Sequence, residues 1–180
     1  MADVSVSVAP SEVLWLSGPN GSGKTTMLLA CAGLIAPDSG TLEWVPGPAR
    51  AVVALAAHDG PERDGLTLGE ELATWQALHR DPMPLGRRLL SVGLGGREHA
   101  PVSGLSAGQR KRLALARLLG SGKPAWLMDE PMAGLDADGR ALVTTCLQAH
   151  LADGGLAVIA SHQPFDGLGA STRVLHLEVA

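Results

Sequence analysis

The sequence predicts an α/β protein built on a mostly parallel sheet. Three observations carry that expectation. The runs 52–57, 125–128 and 156–160 are apolar without alternation, as strands covered on both faces are. Helical patterns separate these runs, and strands alternating with helices build parallel sheets. A glycine-rich turn at 18–25 joins a strand pattern to a helix pattern.

The elements follow in order. Residues 4–8, Val-Ser-Val-Ser-Val, alternate with period two and predict a half-buried antiparallel strand. Residues 12–16 predict a strand running into the glycine-rich turn, and 24–34 a helix. The run 52–57 is a buried strand. Thr67-Leu-Gly-Glu70 is a capping box, opening a helix with Leu72, Trp75 and Leu78 on one face. That face suits core packing or a docking surface for a partner. Residues 81–104 are rich in Pro and Gly and predict short helices and loops. A strong helix spans 106–119. The strand 125–128, a helix over 137–151 and the strand 156–160 follow. Residues 172–179 alternate and predict a terminal strand. The stretch 67–104 interrupts the rhythm and reads as a helical insertion within a single domain of residues 1–180.

Composition bounds the function. A chain of 180 residues is one domain by length. A hydrophobic share of 46% excludes disorder. A net charge of −4 argues against a general polyanion binder, so no nucleic-acid partner is expected. No run approaches the roughly 18 apolar residues of a membrane span. The N-terminus lacks a basic region followed by an apolar one, so secretion is not indicated. Cys31 and Cys146 are too few for a disulfide framework and fit buried small side chains. His58, His79, His99, His150 and His176 share no metal-ligand spacing. The expected setting is soluble, reduced and cytoplasmic.

Gly18-Pro19-Asn20-Gly21-Ser22-Gly23-Lys24-Thr25 fits G-x-x-x-x-G-K-[ST], and Thr26 follows. Glycines let successive backbone N–H groups curl around an anion. The following helix start adds partial positive charge. Lys24 suits the β- and γ-phosphates, and the Thr25 hydroxyl suits Mg²⁺. The ligand implied is ATP with Mg²⁺. The strand at 125–128 ends in Asp129 and Glu130. A carboxylate at the C-terminal end of a parallel strand faces the ligand crevice. Asp129 suits the Mg²⁺ shell, and Glu130 suits a general base that activates water. Leu105-Ser106-Ala107-Gly108-Gln109 opens the helix carrying Arg110, Lys111 and Arg112. A small-residue turn at a helix start is a second anion site of the same physical kind, or an ordinary N-cap with a basic solvent face.

Together these motifs resemble the ATP-binding-cassette (ABC) ATPase family, over nearly the whole chain. Gly18–Thr26 resembles its phosphate loop, and residues 105–109 its signature, with Ala107 for the first glycine. Residues 127–130 resemble its magnesium-and-base strand, and Ala133-Gly-Leu-Asp136 its D-loop. His162 resembles its switch histidine. The resemblance implies a P-loop NTPase fold with a small antiparallel part. It also implies a head-to-tail homodimer, with each ATP between one subunit's Lys24 loop and the other's Ser106 helix start. There His162 contacts the γ-phosphate and Asp136 couples the two sites.

A narrower resemblance, carried by residues 105–117 and 154–164 with support from 57–67, is to the ATPase subunits of cytochrome c maturation haem exporters. It implies integral-membrane partners and a peripheral place on the cytoplasmic face of the bacterial inner membrane. Haem export, or release of haem from its periplasmic chaperone, would be the task powered. No Cys-x-x-Cys-His or paired axial-ligand pattern occurs, so no direct haem contact is expected. The rivals are an ATPase of a lipid, lipoprotein or metal exporter, and an ATP-binding regulatory module with little turnover.

Two departures stand out. The family places a Mg²⁺-binding glutamine after its third core strand, where this chain reads Ala56-Ala-His-Asp-Gly60. Asp59, or His58 one residue earlier, stands at about that place; Asp59 could hold Mg²⁺ as a hard oxygen ligand, or is only a turn residue. Family members also carry an adenine-stacking aromatic well before the phosphate loop. Only 17 residues precede Gly18 and none before Trp15 is aromatic. A missing first strand and weak nucleotide affinity are the expectations.

Overall fold

The computed structural model describes residues 4–57, 65–163 and 172–178. Five strands form one sheet: β1 (Val13–Ser17), β2 (Val53–Ala56), β3 (Ala125–Asp129), β4 (Leu156–Ala160) and β5 (Thr172–His176). Their order is β2-β3-β4-β1-β5, and every pairing is parallel. The three apolar runs are the strands β2, β3 and β4, and β3 is buried along its whole length. The parallel α/β expectation therefore holds.

The chain divides into two compact units. One comprises Met1–His58, Lys123–Pro131 and Thr144–Ala180; the other comprises Asp59–Gly122 and Met132–Val143.

The first unit holds the sheet. Its central cluster is Leu14, Leu16, Leu28, Leu127, Val158 and Ala160. Leu28 comes from helix α1 (Lys24–Cys31), which covers this face. The predicted helix ran to residue 34, but Gly33 turns left-handed at φ 71°. The Gly33 N–H then donates to the Ala30 carbonyl and the Leu34 N–H to that of Leu29. That bonding is a Schellman motif, which ends the helix by satisfying its last carbonyls. A short helix, α2 (Ala49–Val52), precedes β2 and has no sequence signal. Lys123 Nζ donates to the Arg50 and Ala51 carbonyls there.

Residues 4–8 form no strand, contrary to their alternation. Both edges of β1 are occupied, by β4 and by β5, so a period-two segment has no free edge there to join. Val6 and Val8 instead lie against the central cluster, and Arg173 donates to the Ser7 carbonyl at 2.8 Å. Among the described residues no antiparallel ladder forms. The antiparallel bridge that does occur, Thr67 with Pro101, belongs to the helical unit.

The second unit is helical: α3 (Leu68–His79), α4 (Leu85–Ser91), a 3₁₀ turn (Val102–Gly104) and α5 (Ala107–Ser121). Thr67 and Glu70 form the expected capping box. Leu68, Leu72, Leu89, Leu113 and Leu118 are buried. Arg88 grips Asp81 through two hydrogen bonds, Nε at 2.9 Å and Nη2 at 2.8 Å. Burial alone would raise the Asp81 carboxyl. Donation from Arg88, Met83 and Gln76 outweighs it and leaves the group below the usual range. Trp75 stacks on His79 and lies beneath the Arg117 guanidinium, whose partner is buried Glu71. Trp75 is thus a packing residue, whereas Leu78 stays 72% exposed. Helix α6 (Ala137–Ala152) begins in this unit and ends in the first.

Candidate active site

Parallel strands point all their C-terminal ends to one edge, where α/β sheets bind ligands. Here β1, β4 and β3 are neighbours, with Leu16 opposite Ala160 and Ala160 opposite Asp129. The segments leaving these ends are Gly18 onward, Ser161-His162 and Glu130. The register therefore gathers three motifs that are far apart in sequence.

The phosphate loop follows β1. Gly18, Gly21 and Gly23 all have positive φ, at 146°, 82° and 92°. A Cβ at Gly18 would run into the Leu177 carbonyl and the Ser22 hydroxyl, so the position demands glycine. Gly23 supplies the left-handed cap of α1. Pro19, Asn20, Gly21, Thr25 and Thr26 are exposed, whereas Ser22 and Lys24 are buried. Lys24 Nζ folds back onto the Gly18 and Pro19 carbonyls at 2.8 and 2.9 Å. The Ser22 hydroxyl is buried with no hydrogen-bond partner. A buried hydroxyl left unbonded is costly, and an anion in the loop would relieve that cost.

Thr25 Oγ1 donates to Asp129 Oδ2 at 2.9 Å across 104 positions of sequence. A hydroxyl oxygen beside a carboxylate is a hard-oxygen pair suited to Mg²⁺, so these residues fit the metal.

Glu130 leaves β3 with φ 46°, an uncommon backbone for a non-glycine residue. Its N–H donates to the Ala160 carbonyl. Its Oε1 accepts the His162 N–H at 3.1 Å and lies 2.9 Å from His162 Nδ1. Its Oε2 faces the Ser161 hydroxyl at 3.3 Å. His162 is half exposed. Sequence reading gave Ser161 no role, although it directly precedes His162.

The helical unit carries the remaining motifs. Leu105 is buried and anchors the turn. Ser106 caps α5: its Oγ accepts the Gln109 N–H, and Gln109 Oε1 accepts the Ser106 N–H. The N-cap reading is thereby realised, with Ser106 and Ala107 on the exposed surface. Gly108 comes close to Gly134 and Leu135, so the signature turn and residues 133–136 adjoin. Asp136 Oδ1 accepts the Gly139 N–H at 2.8 Å and meets Arg112 Nη2 at 3.4 Å. Asp59 and His58 lie outside the described residues. Cys31 and Cys146 are half-buried rather than fully so, and burial raises the Cys31 thiol.

Comparison with known proteins gives the family. A family model described as "ABC transporter" matches residues 1–133. The cytochrome c biogenesis ATP-binding export protein CcmA of Rhodopseudomonas palustris (strain BisB18) is 40% identical over 181 aligned positions. That alignment covers 98% of this chain and 89% of the relative. The protein of that name from Rhodobacter capsulatus is 42% identical, over 88% of this chain and 72% of its own. Two solved structures share the fold. An ABC transporter ATP-binding protein from Pyrococcus furiosus gives a TM-score of 0.80 at 19% identity, over 97% of this chain and 88% of that one. A dimeric ATP-binding cassette bound to ADP and Pi gives 0.81 at 23% identity, over 98% and 87%. The chain belongs to the ABC transporter ATP-binding family.

Proposed function

We infer that this chain hydrolyses ATP to power a membrane transporter that exports haem, or releases it from its chaperone, in cytochrome c biogenesis. The observation that carries the ATPase reading is the convergence of Lys24, the Thr25–Asp129 pair and the Glu130–His162 pair on the C-terminal ends of β1, β3 and β4. The transport task rests on the 40% identity to export proteins of that name.

Each residue then has a part. The loop N–H groups from Asn20 to Thr26, at the start of α1, hold the phosphates. Lys24 leaves the Gly18 and Pro19 carbonyls and places its charge on the β- and γ-phosphates. Thr25 and Asp129 would hold Mg²⁺, which supplies charge neutralisation on the phosphate oxygens. Glu130 orients the attacking water and takes its proton. His162 turns from Glu130 to donate to the γ-phosphate.

A second copy completes the site in this reading, with its Ser106 and Gln109 releasing each other to bind the γ-phosphate. Asp136 would link the two sites across the head-to-tail pair. The membrane side is supplied by integral-membrane partners, with this chain peripheral on the cytoplasmic face of the inner membrane. No helix among the described residues is long and apolar enough to cross a bilayer. The chain itself touches neither haem nor nucleic acid.

The test is Mg²⁺-dependent phosphate release by the unaltered chain beside Lys24→Ala and Glu130→Gln. Both substitutions should lower kcat at least about 100-fold, the scale of losing a transition-state contact or a general base. Glu130→Gln should still bind nucleotide. Turnover untouched by Glu130→Gln would favour a regulatory nucleotide-binding module instead.

A further inference from the structure

The mechanism asks His162 to leave Glu130, which raises the question of what then holds the carboxylate. Glu130 leaves β3 on a left-handed backbone, so strand geometry alone does not aim its side chain. The neighbouring Ser161 is 2% exposed and pinned by both backbone groups. Its N–H donates to the Leu16 carbonyl at 3.1 Å, and its carbonyl accepts the Trp15 indole N–H at 2.9 Å. The Gln163 N–H donates to its Oγ at 3.1 Å. The hydroxyl proton is thus left to face Glu130 Oε2 at 3.3 Å or the Gln163 carbonyl at 3.1 Å. Of the two, a carboxylate is the stronger acceptor.

We propose that Ser161 is a positioning residue that keeps the Glu130 carboxylate in place while His162 moves, with Trp15 fixing Ser161. The two side-chain contacts divide the labour, while the His162 N–H stays on Oε1 and leaves Oε2 to the Ser161 hydroxyl. His162, half exposed, has room to swing. Ser161 and Trp15, which are joined to β4 and β1, do not. The idea rests on the ATPase reading above, and on contacts that lie within one compact unit.

The experiment is steady-state ATP hydrolysis by the full chain carrying Ser161→Ala or Ser161→Thr, beside the unaltered protein. Nucleotide affinity is read separately by a fluorescent ATP analogue, and folding by thermal unfolding. Ser161→Ala should lower kcat about tenfold, the worth of a hydrogen bond to a charged acceptor. KM, analogue affinity and the unfolding midpoint should stay near those of the unaltered chain. Ser161→Thr, which keeps the hydroxyl, should recover most of kcat. Unchanged kcat in Ser161→Ala overturns the proposal alone, as does a loss shared equally by kcat and nucleotide affinity. Absence of turnover in the unaltered chain overturns the ATPase reading and this proposal with it.

Discussion

Gly18 shows how a single missing carbon supports a site. Its φ of 146° lies in the region that favours glycine, and a Cβ there would strike the Leu177 carbonyl. Gly18→Ala must therefore either shift Leu177, just past β5, or distort the loop. We expect a stability loss of about 2 kcal/mol, on the scale of a left-handed residue forced onto a side chain. Nucleotide affinity should fall with it. Urea unfolding and analogue titration check both, and a variant with unaltered stability and binding would refute the account. Ser22 makes the complementary point. Its place in the loop was legible as part of the motif, but the orphaned, buried state of its hydroxyl appears only after folding. The glycines and Lys24 were legible because a phosphate loop needs those types at fixed spacing. Ser161 was not, since a serine beside a histidine carries no distinctive spacing.

Elements differ in how far local sequence decides them. The capping boxes at Thr67 and Ser106 form as the residue types require, because their partners are three positions apart. The segment 4–8 fails as a strand because pairing needs a partner backbone brought into register, which is not a local property. Helix α6 illustrates packing that only the fold reveals. His150, in its last turn, stacks on Trp126 with ring centroids 3.9 Å apart and faces the Leu156 carbonyl at 3.2 Å. Burial lowers its pKa from the ordinary 6.5, partly offset by the Leu156 and Pro124 carbonyls and the charge of Asp153. The folded protein thus resists protonation more than the unfolded chain does. The unfolded state binds more protons as pH falls below about 6.5, so stability should drop there. His150→Phe keeps the stack and removes the titration. Urea midpoints at pH 7.5 and 5.5 should separate less in this variant than in the unaltered chain. Equal separation would show that other groups carry the effect.

At the scale of the whole molecule, a ligand that binds only the folded state must stabilise it. Mg²⁺ with ATP at about 100 times its Kd should add about 2.7 kcal/mol. For a chain of this size that raises Tm by about 5–10 °C. Lys24→Ala should abolish the rise, and chelation of Mg²⁺ should diminish it. A rise that survives Lys24→Ala would place the nucleotide elsewhere. Scanning fluorimetry of the two proteins, with and without chelator, makes the measurement.

The fold class, the phosphate loop, the acidic strand end and the helical stretch were all legible in the order of residues. Each depends on residue type at short range: apolar runs, glycine spacing, capping pairs. Folding set the strand order, and with it that Gly18, Glu130 and His162 leave adjacent strand ends. It also joined Thr25 to Asp129, set Ser161 beside Glu130 and Trp15 against Ser161, committed Trp75 to packing, and left 4–8 without a ladder. These outcomes turn on which edges pair and which faces meet. Such pairings join residues far apart in sequence, Val13 with Thr172 and Thr25 with Asp129 among them, and no local pattern encodes them.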